Sequence, residues 1–158
     1  FERGDTEQVV ELWHAAGLTR PWNDPHLDIE RKLRVQPELF IVAVDTMADA
    51  TEDHLHSAGP AVSAARTVVI GTVMAGYDGH RGWIYYLATG PDRRGQGIGR
   101  ALVAEVERLL EERGCPKIQL MVRTENSAVS AFYESLGYEP FEVTSLGKRL
   151  IADTPSAP

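Results

Sequence analysis

A glycine- and arginine-rich stretch, DRRGQGIGRAL, occupies residues 92–102 between an apolar run and a helical pattern of apolar residues. Glycines let the backbone approach a ligand closely, and the first amides of a helix, with the positive end of its dipole, favour an anion. Residues 92–100 hold three arginines against one aspartate, in a chain whose net charge is −7. The stretch therefore predicts a binding site for an anionic cofactor.

The spacing of Gly95, Gly97 and Gly99 narrows the kind of cofactor. A dinucleotide-binding fingerprint needs GxGxxG, and this run has Arg100 or Leu102 where the third glycine would stand. No GxxxxGK[ST] pattern follows a strand, which excludes a P-loop. A glycine turn that serves only tight packing is the alternative, but it leaves the clustered arginines unexplained.

Length, composition and charge set the outer limits of the interpretation. The chain has 158 residues, 43% of them hydrophobic and 25% charged, which suits one globular domain. The negative net charge argues against a nucleic-acid or anionic-membrane surface. No apolar run approaches the roughly 18 residues of a membrane span, and the polar start lacks a signal-peptide pattern. A single cysteine, Cys115, excludes an intrachain disulfide and predicts a cytoplasmic location.

The elements that must position the glycine turn are helices and strands in one mixed sheet. Asp5 and Gln8 predict a capping box for a first helix, and Asp24 before Pro25 predicts the start of a second. A third helix follows the glycine turn, and a fourth follows Asn126. Apolar, β-branched runs predict strands at residues 38–44, 67–78, 83–89, 117–122 and 142–151.

One domain is predicted over residues 1–151. Within it, residues 45–66 are rich in Ala, Ser, Asp and Thr and predict a long, mobile hairpin loop. Residues 152–158 predict a frayed C-terminal tail. The DHLH sequence at 53–56 has two histidines without further ligands at suitable spacing, so no metal site is predicted.

Two motifs in the chain resemble the signatures of the GNAT superfamily of N-acetyltransferases. RGQGIG at residues 94–99 fits [RQ]-x-x-G-x-[GA], and Asn126 with AFYESLGY at 131–138 fits N-x-x-A-x-x-F-Y-x-x-x-G-[YF], shifted slightly at the alanine. More narrowly, RPWNDPHLDIERKL, GYDGHRG and SLGKRLI resemble the YpeA type of small bacterial acetyltransferase. The resemblance implies an α/β (α+β mixed sheet) GNAT fold, with a mostly antiparallel central sheet, a splayed parallel strand pair and helices on both faces.

The resemblance also implies acetyl-CoA as the cofactor. The strand before the first motif would bind the pantetheine arm, and the amides of residues 95–100 would bind the pyrophosphate. The alternative role of Asn126 is a plain helix N-cap. The alternative role of Tyr133 is an aromatic packed beside Phe132. The implied cofactor-binding residues are Leu87, Ala88, Thr89, Arg94, Gly95, Gln96, Gly97, Ile98, Gly99, Arg100, Asn126 and Tyr133.

The chemistry implied by the resemblance is direct acetyl transfer to a primary amine of a small molecule or peptide. A backbone N–H on the central strand would hold the oxyanion, and catalytic Tyr133 would protonate the leaving thiolate, since a phenol with a pKa of about 10 is protonated at neutral pH. Cys115, at a helix-to-strand joint, suits a structural role better than a covalent one. GWIYYLAT lacks the Glu that many relatives carry, so the candidate bases are Asp24, Glu30, Asp78 and His80, with Tyr85 to orient a water.

The binding site for the amine that accepts the acetyl group is expected to contain aromatic and acidic residues, which suit a cationic amine. Two other functions stay open. They are a protein N-terminal, ribosomal-protein-type acetyltransferase and a non-catalytic CoA-binding regulatory domain. The resemblance further allows a homodimer. The predicted substrate-binding residues are Trp22, Asn23, Asp24, Tyr77, Asp78 and Tyr85.

Overall fold

A computed structural model of the chain describes residues 1–47 and 66–153. Within these ranges four strands form one sheet in the order β1-β2-β3-β4, and four α-helices pack against it. The elements are α1 (Thr6–Ala15), α2 (Pro25–Arg34), β1 (Phe40–Met47), β2 (Arg66–Tyr77), β3 (Gly82–Thr89), α3 (Ile98–Glu112), β4 (Ile118–Gln119) and α4 (Ser127–Glu134).

The sheet is mixed and mostly antiparallel. β1 pairs with β2, and β2 with β3, in antiparallel register. β3 and β4 are parallel and pair only at Gly82 with Ile118 and at Trp83 with Gln119. Beyond that point β3 continues to Thr89 while the pairing with β4 has ended. The predicted splayed parallel pair is confirmed.

Two hydrophobic cores lie on opposite faces of the sheet. Successive side chains of a strand point to opposite faces, so Met74 packs towards α1 and α2 and Val73 towards α3 and α4. Trp13 and Leu110, both fully buried, are among the large residues of the two cores. Helices cover both faces, as predicted.

The start of α1 differs from the prediction, whereas the start of α2 agrees with it. Residues Arg3–Asp5 form a 3-10 turn, so the Asp5 carboxylate turns back and accepts a hydrogen bond from the Glu2 N–H at 2.7 Å. Gln8 instead accepts from the Val69 N–H on β2 at 3.0 Å. The capping box predicted between Asp5 and Gln8 is therefore wrong. Asp24 caps α2 through the His26 N–H at 2.8 Å.

The C-terminal segment also differs from the prediction. Residues 142–151 form no strand, and of the strand predicted at 117–122 only Ile118–Gln119 is paired. A strand is stable only beside a partner, and the short β4 offers too little backbone for a further strand to pair with. Asp153, expected in the frayed tail, is instead buried, and both its oxygens accept from Arg31.

Parts of the predicted loop and tail lie outside the described residues. β1 extends to Met47 and β2 begins at Arg66, so the connection expected at 45–66 narrows to 48–65. That range and the DHLH sequence within it are not among the described residues, and neither are residues 154–158. The single domain over residues 1–151 stays a prediction. Within the described ranges, no helix is long and apolar enough to cross a bilayer.

Candidate active site

The glycine-rich turn connects the end of β3 to the start of α3. Gly95 and Gly97 have φ angles of +76° and +81°, a left-handed region that costs other residues roughly 1–2 kcal/mol. Gly97 is the N-cap of α3, no side chain hydrogen-bonds to that cap, and the first turn contains no acidic residue. The first backbone amides of this 15-residue helix thus remain available to an anion.

A cleft of about 390 Å³ opens at this helix end. It brings together nine of the twelve residues predicted to bind the cofactor, and Arg93 and Phe132, which were not among those twelve, line it too. The nine are Leu87, Ala88, Thr89, Arg94, Gly95, Gly97, Ile98, Gly99 and Arg100.

Close packing of α3 on the sheet sets the position of the cleft. Gly71 on β2 faces the start of α3, and a Cβ at this position would lie 2.8 Å from Cγ2 of Ile98. Real Cβ atoms do not approach other atoms so closely. The absence of a side chain at Gly71 therefore lets the amides of α3 lie close to β3.

The three arginines of the turn differ in their partners. Arg93 forms an ion pair with Asp45 at 3.1 Å and lies 3.5 Å from an Asp92 oxygen. Arg94 and Arg100 are exposed and form no ion pair with the described residues. The positive charge open to a phosphate therefore comes from Arg94 and Arg100.

Tyr133 does not line this cleft. It is 6% exposed and lines a neighbouring cleft of about 630 Å³, together with Trp83 and Gln119 at the point where β3 and β4 diverge. Its ring packs edge-on against Phe132, with ring centroids 5.1 Å apart. Burial raises the pKa of the Tyr133 phenol above its ordinary value, so the group stays protonated at neutral pH.

The other two predicted cofactor ligands also lie outside the 390 Å³ cleft. Asn126 caps α4, since its Oδ1 accepts from the Val129 N–H at 3.3 Å, which confirms the N-cap interpretation. Gln96 is exposed, with its side-chain amide 3.5 Å from the Asp92 carbonyl. A contact of either side chain with a cofactor stays a prediction.

The predicted acceptor residues of the α1–α2 connection are tied to the C-terminal segment. Trp22 is 53% exposed, and Arg149 donates to its carbonyl at 2.9 Å and to Oδ1 of Asn23 at 3.1 Å. The Asp24 N–H donates to Asp153 at 3.3 Å. This loop is therefore held by three hydrogen bonds to two residues, Arg149 and Asp153, that lie more than a hundred residues away in sequence.

The remaining predicted acceptor residues belong to the β2–β3 hairpin. Asp78 accepts from the backbone amides of Arg81 and His80 and, through Oδ2, from the Trp83 indole at 3.1 Å. The Arg81 amide, followed by the indole and the His80 amide, lowers the pKa of Asp78 to about 2. Tyr77, whose backbone pairs with Gln36, and the partly exposed Tyr85 are nearby in sequence.

These two groups of predicted acceptor residues are not joined in one pocket. No hydrogen bond or ion pair among residues 1–47 and 66–153 connects the loop at 22–24 with the hairpin at 77–85.

The four candidate bases lie outside the glycine-rich cleft, and three of them bind other groups. Asp78 and Asp24 hold a turn and a helix start, Glu30 pairs with Arg3, and His80 lies exposed in the hairpin turn. None of them lines the glycine-rich cleft.

Comparison with known proteins decides the family. The profile described as "Acetyltransferase (GNAT) family" matches residues 9–138. The chain belongs to the GNAT family of acetyltransferases. A protein named acetyltransferase from Yersinia enterocolitica is 48% identical to it over 153 residues, 97% of this chain and 94% of the relative.

Solved structures agree with the GNAT fold of this acetyltransferase. The NatC complex bound to Gag peptide and CoA matches with a TM-score of 0.68 and 25% identity, over 89% of this chain and 80% of that one. AAC(6′)-Iy, in complex with a bisubstrate analogue, matches with a TM-score of 0.64 and 19% identity, over 96% and 95%. The second likeness shows the fold alone.

One feature of this GNAT protein has no signal in its sequence. Thr72 pairs with Ala88 and Met74 with Tyr85, so Tyr86 and Leu87 stand opposite the single residue Val73. This β-bulge lies directly beside the cleft, and Tyr86 has a φ of +49°. From its place in an apolar run, Tyr86 is predicted to be an ordinary strand residue. Only the pairing of β2 with β3 shows the bulge.

Proposed function

We propose that this GNAT acetyltransferase transfers the acetyl group of acetyl-CoA directly to a primary amine of a small molecule or peptide. The observation that carries the proposal is the uncapped start of α3, which opens into a cleft beside Arg94 and Arg100. Backbone amides at a helix N-terminus with two arginine side chains suit a diphosphate.

The described residues fit CoA in a second respect. Because the pairing of β4 with β3 ends at Trp83, the outer edge of Leu87–Thr89 has backbone groups without a strand partner among the described residues. An extended, amide-containing arm can hydrogen-bond to such an edge as a strand would. When bound, acetyl-CoA supplies the acetyl group as a reactive thioester.

This chain's own residues would supply charge stabilisation and a proton. A backbone N–H of the Tyr86–Leu87 bulge, held rigidly, is suited to stabilise negative charge that develops on a carbonyl oxygen. Tyr133 lines the gap between β3 and β4, and its phenol, protonated at neutral pH, would donate its proton to the leaving thiolate. With no candidate carboxylate in the glycine-rich cleft, water is assigned as the proton acceptor for the amine.

The acceptor amine is proposed to approach from the side of the loop at residues 22–24. Trp22 is exposed there, and an indole face attracts a cation. Tyr77, Asp78 and Tyr85 are retained as further acceptor residues, with Asp78 supplying a carboxylate that stays ionised at neutral pH. A cytoplasmic location and a homodimer stay predictions.

The decisive experiment combines a transfer assay with calorimetry. Free-thiol release from acetyl-CoA is measured with polyamines, amino acids and peptide N-termini, and CoA binding is titrated on the same protein. We expect CoA binding and transfer to at least one cationic amine. Transfer to peptide N-termini alone would favour the N-terminal acetyltransferase, and binding without transfer the regulatory domain. No heat and no thermal shift with CoA would overturn the proposal.

A further inference from the structure

The bulge beside the cleft is held by buried side chains. Thr72 and Trp13 are both 0% exposed. The Trp13 indole N–H donates to the Thr72 hydroxyl oxygen at 2.9 Å, and the Thr72 hydroxyl donates to the Tyr86 carbonyl at 3.0 Å. A hydroxyl has one proton to donate, so Thr72 uses it on Tyr86 while it accepts from Trp13. We call Trp13, Thr72 and Tyr86 the bulge relay.

A second set of contacts holds the Tyr86 side chain. Its ring stacks on Trp13, with centroids 4.0 Å apart, and its hydroxyl donates to Oδ2 of Asp28 at 2.6 Å. The other Asp28 oxygen accepts from Arg31 at 3.0 Å. Both ends of Tyr86, the carbonyl and the hydroxyl, are therefore anchored to elements on the α1–α2 face of the sheet.

These contacts explain how Tyr86 stays in an unfavourable conformation. A positive φ is rare for a residue with a large side chain, and such strain persists only where the surroundings determine it. Tyr86 has a φ of +49°, and the next residues in the chain, Leu87 and Ala88, line the cleft. Whatever holds Tyr86 therefore also sets the direction of the backbone that faces the cleft.

We propose that Thr72 is a positioning residue for acetyl transfer. Through the Tyr86 carbonyl it holds the bulge in place before any cofactor binds, so that the backbone of Leu87 and Ala88 is already oriented for the reaction. The inference rests on the proposed function, because it assigns the bulge to the site of transfer. It makes the α1–α2 face part of the transfer machinery, although Thr72 and Trp13 do not line the cleft.

The test compares two substitutions of Thr72 that differ in one property. Thr72→Val keeps the shape and removes both hydrogen bonds, whereas Thr72→Ser keeps the hydroxyl. We expect Thr72→Val to lower kcat by about tenfold to a hundredfold, since misplacement of reacting groups by about 1 Å costs up to that much. The KM for acetyl-CoA and the calorimetric Kd for CoA should change much less than kcat, because the diphosphate is held at α3 and only the arm contacts at Leu87 and Ala88 weaken. Thr72→Ser should restore kcat.

A readout in the free protein does not depend on transfer. Hydrogen–deuterium exchange of the amides of residues 86–89 should be faster in Thr72→Val than in Thr72→Ser or the unmodified chain. Val9→Ala is the matched control for lost stability, because Val9 is fully buried in the same core but has no bond to the bulge. It should lower the melting temperature and leave both kcat and this exchange unchanged.

The outcomes separate the inference from the proposed function. Wild-type kcat and exchange in Thr72→Val, or an equal loss in Thr72→Ser, would overturn the inference. If the unmodified chain binds CoA but acetylates no amine, the proposed function fails, while the exchange data still report on the relay. Should Thr72→Val not fold, Thr72→Ala removes the same two hydrogen bonds with a smaller side chain and must then show faster exchange at residues 86–89. Unchanged exchange in that variant would also refute the inference.

Discussion

Replacement of Gly71 by alanine should weaken both the fold and CoA binding. A methyl group at this position would lie 2.8 Å from Cγ2 of Ile98, 3.1 Å from Cδ1 of Leu102 and 3.3 Å from the Ala88 carbonyl oxygen. Cδ1 of Leu102 is the end of a flexible side chain and can shift, and the Ala88 contact needs only a few tenths of an ångström. Cγ2 of Ile98 is bonded directly to Cβ, and χ1 of a β-branched residue is fixed in a helix. Relief of the 2.8 Å contact therefore requires the start of α3 to move away from the sheet.

The expected magnitude follows from the packing. Insertion of a methyl group into a close-packed site costs about 1–3 kcal/mol. For a chain of this size each kcal/mol lowers the melting temperature by roughly 2–4 °C, so the expected decrease is roughly 2–12 °C. Loss of one amide–phosphate hydrogen bond at a displaced helix end, about 1.5–3 kcal/mol, corresponds to a CoA Kd raised about tenfold or more.

Gly76 on the same strand provides the control. A Cβ there meets only Oε1 of Gln36, at 3.6 Å, which is ordinary contact. Gly76→Ala should leave stability unchanged or raise it by up to about 1 kcal/mol, because alanine restricts the unfolded chain. Urea unfolding and CoA calorimetry on the two variants give the comparison. If Gly71→Ala matched Gly76→Ala in both, the argument that the glycine sets the distance between α3 and β3 would be refuted.

Three further predictions concern charge and proton donation. Arg100→Ala should raise the CoA Kd by about tenfold, as expected for a lost charge-assisted contact. The control, Arg108→Ala on the same helix, should leave the Kd unchanged, because Arg108 forms ion pairs with Glu105 and Glu112 of that helix. Calorimetry at one salt concentration measures both Kd values. Tyr133→Phe should keep the CoA Kd and lower turnover about a hundredfold or more in the thiol-release assay. The Arg31 guanidinium lowers the pKa of Asp153 to about 2, so this pair stabilises the fold above about pH 4 and loses its effect as the pH falls towards 2. Melting temperatures across that range should fall more steeply for the unmodified chain than for Asp153→Asn.

Each of these predictions has a contradicting result. Equal losses of CoA affinity in Arg100→Ala and Arg108→Ala would point to net charge instead of a contact in the cleft. Unchanged turnover in Tyr133→Phe would remove that phenol from the mechanism. Parallel melting curves for the unmodified chain and Asp153→Asn would show that the ion pair with Arg31 does not persist in solution.

The cofactor cleft was largely predictable because its determinants are local in sequence. Gly95, Gly97 and the arginines around them lie within a few residues, and a turn followed by a helix needs no distant partner to form. The splayed strand pair followed from the resemblance to the GNAT superfamily. The role of Asp24 as the N-cap of α2 was also predictable, because an N-cap side chain accepts from backbone amides only two and three residues away.

The errors arose where a distant partner competes with a local pattern. Gln8 matches a capping box, but its amide bonds to Val69, 61 residues away. Residues 142–151 have the composition of a strand, yet β4 is too short to pair with one.

By itself, the sequence determined the glycine turn, the helix that follows it and the family of the chain, since backbone conformation and local charge depend on neighbouring residues. Only the tertiary structure decided that Gly71 must lack a side chain, that Tyr133 lines the gap beyond Trp83, and that Thr72 supports a bulge beside the cleft. Those properties depend on which atoms meet across the sheet, and such meetings are set by the packing of whole elements.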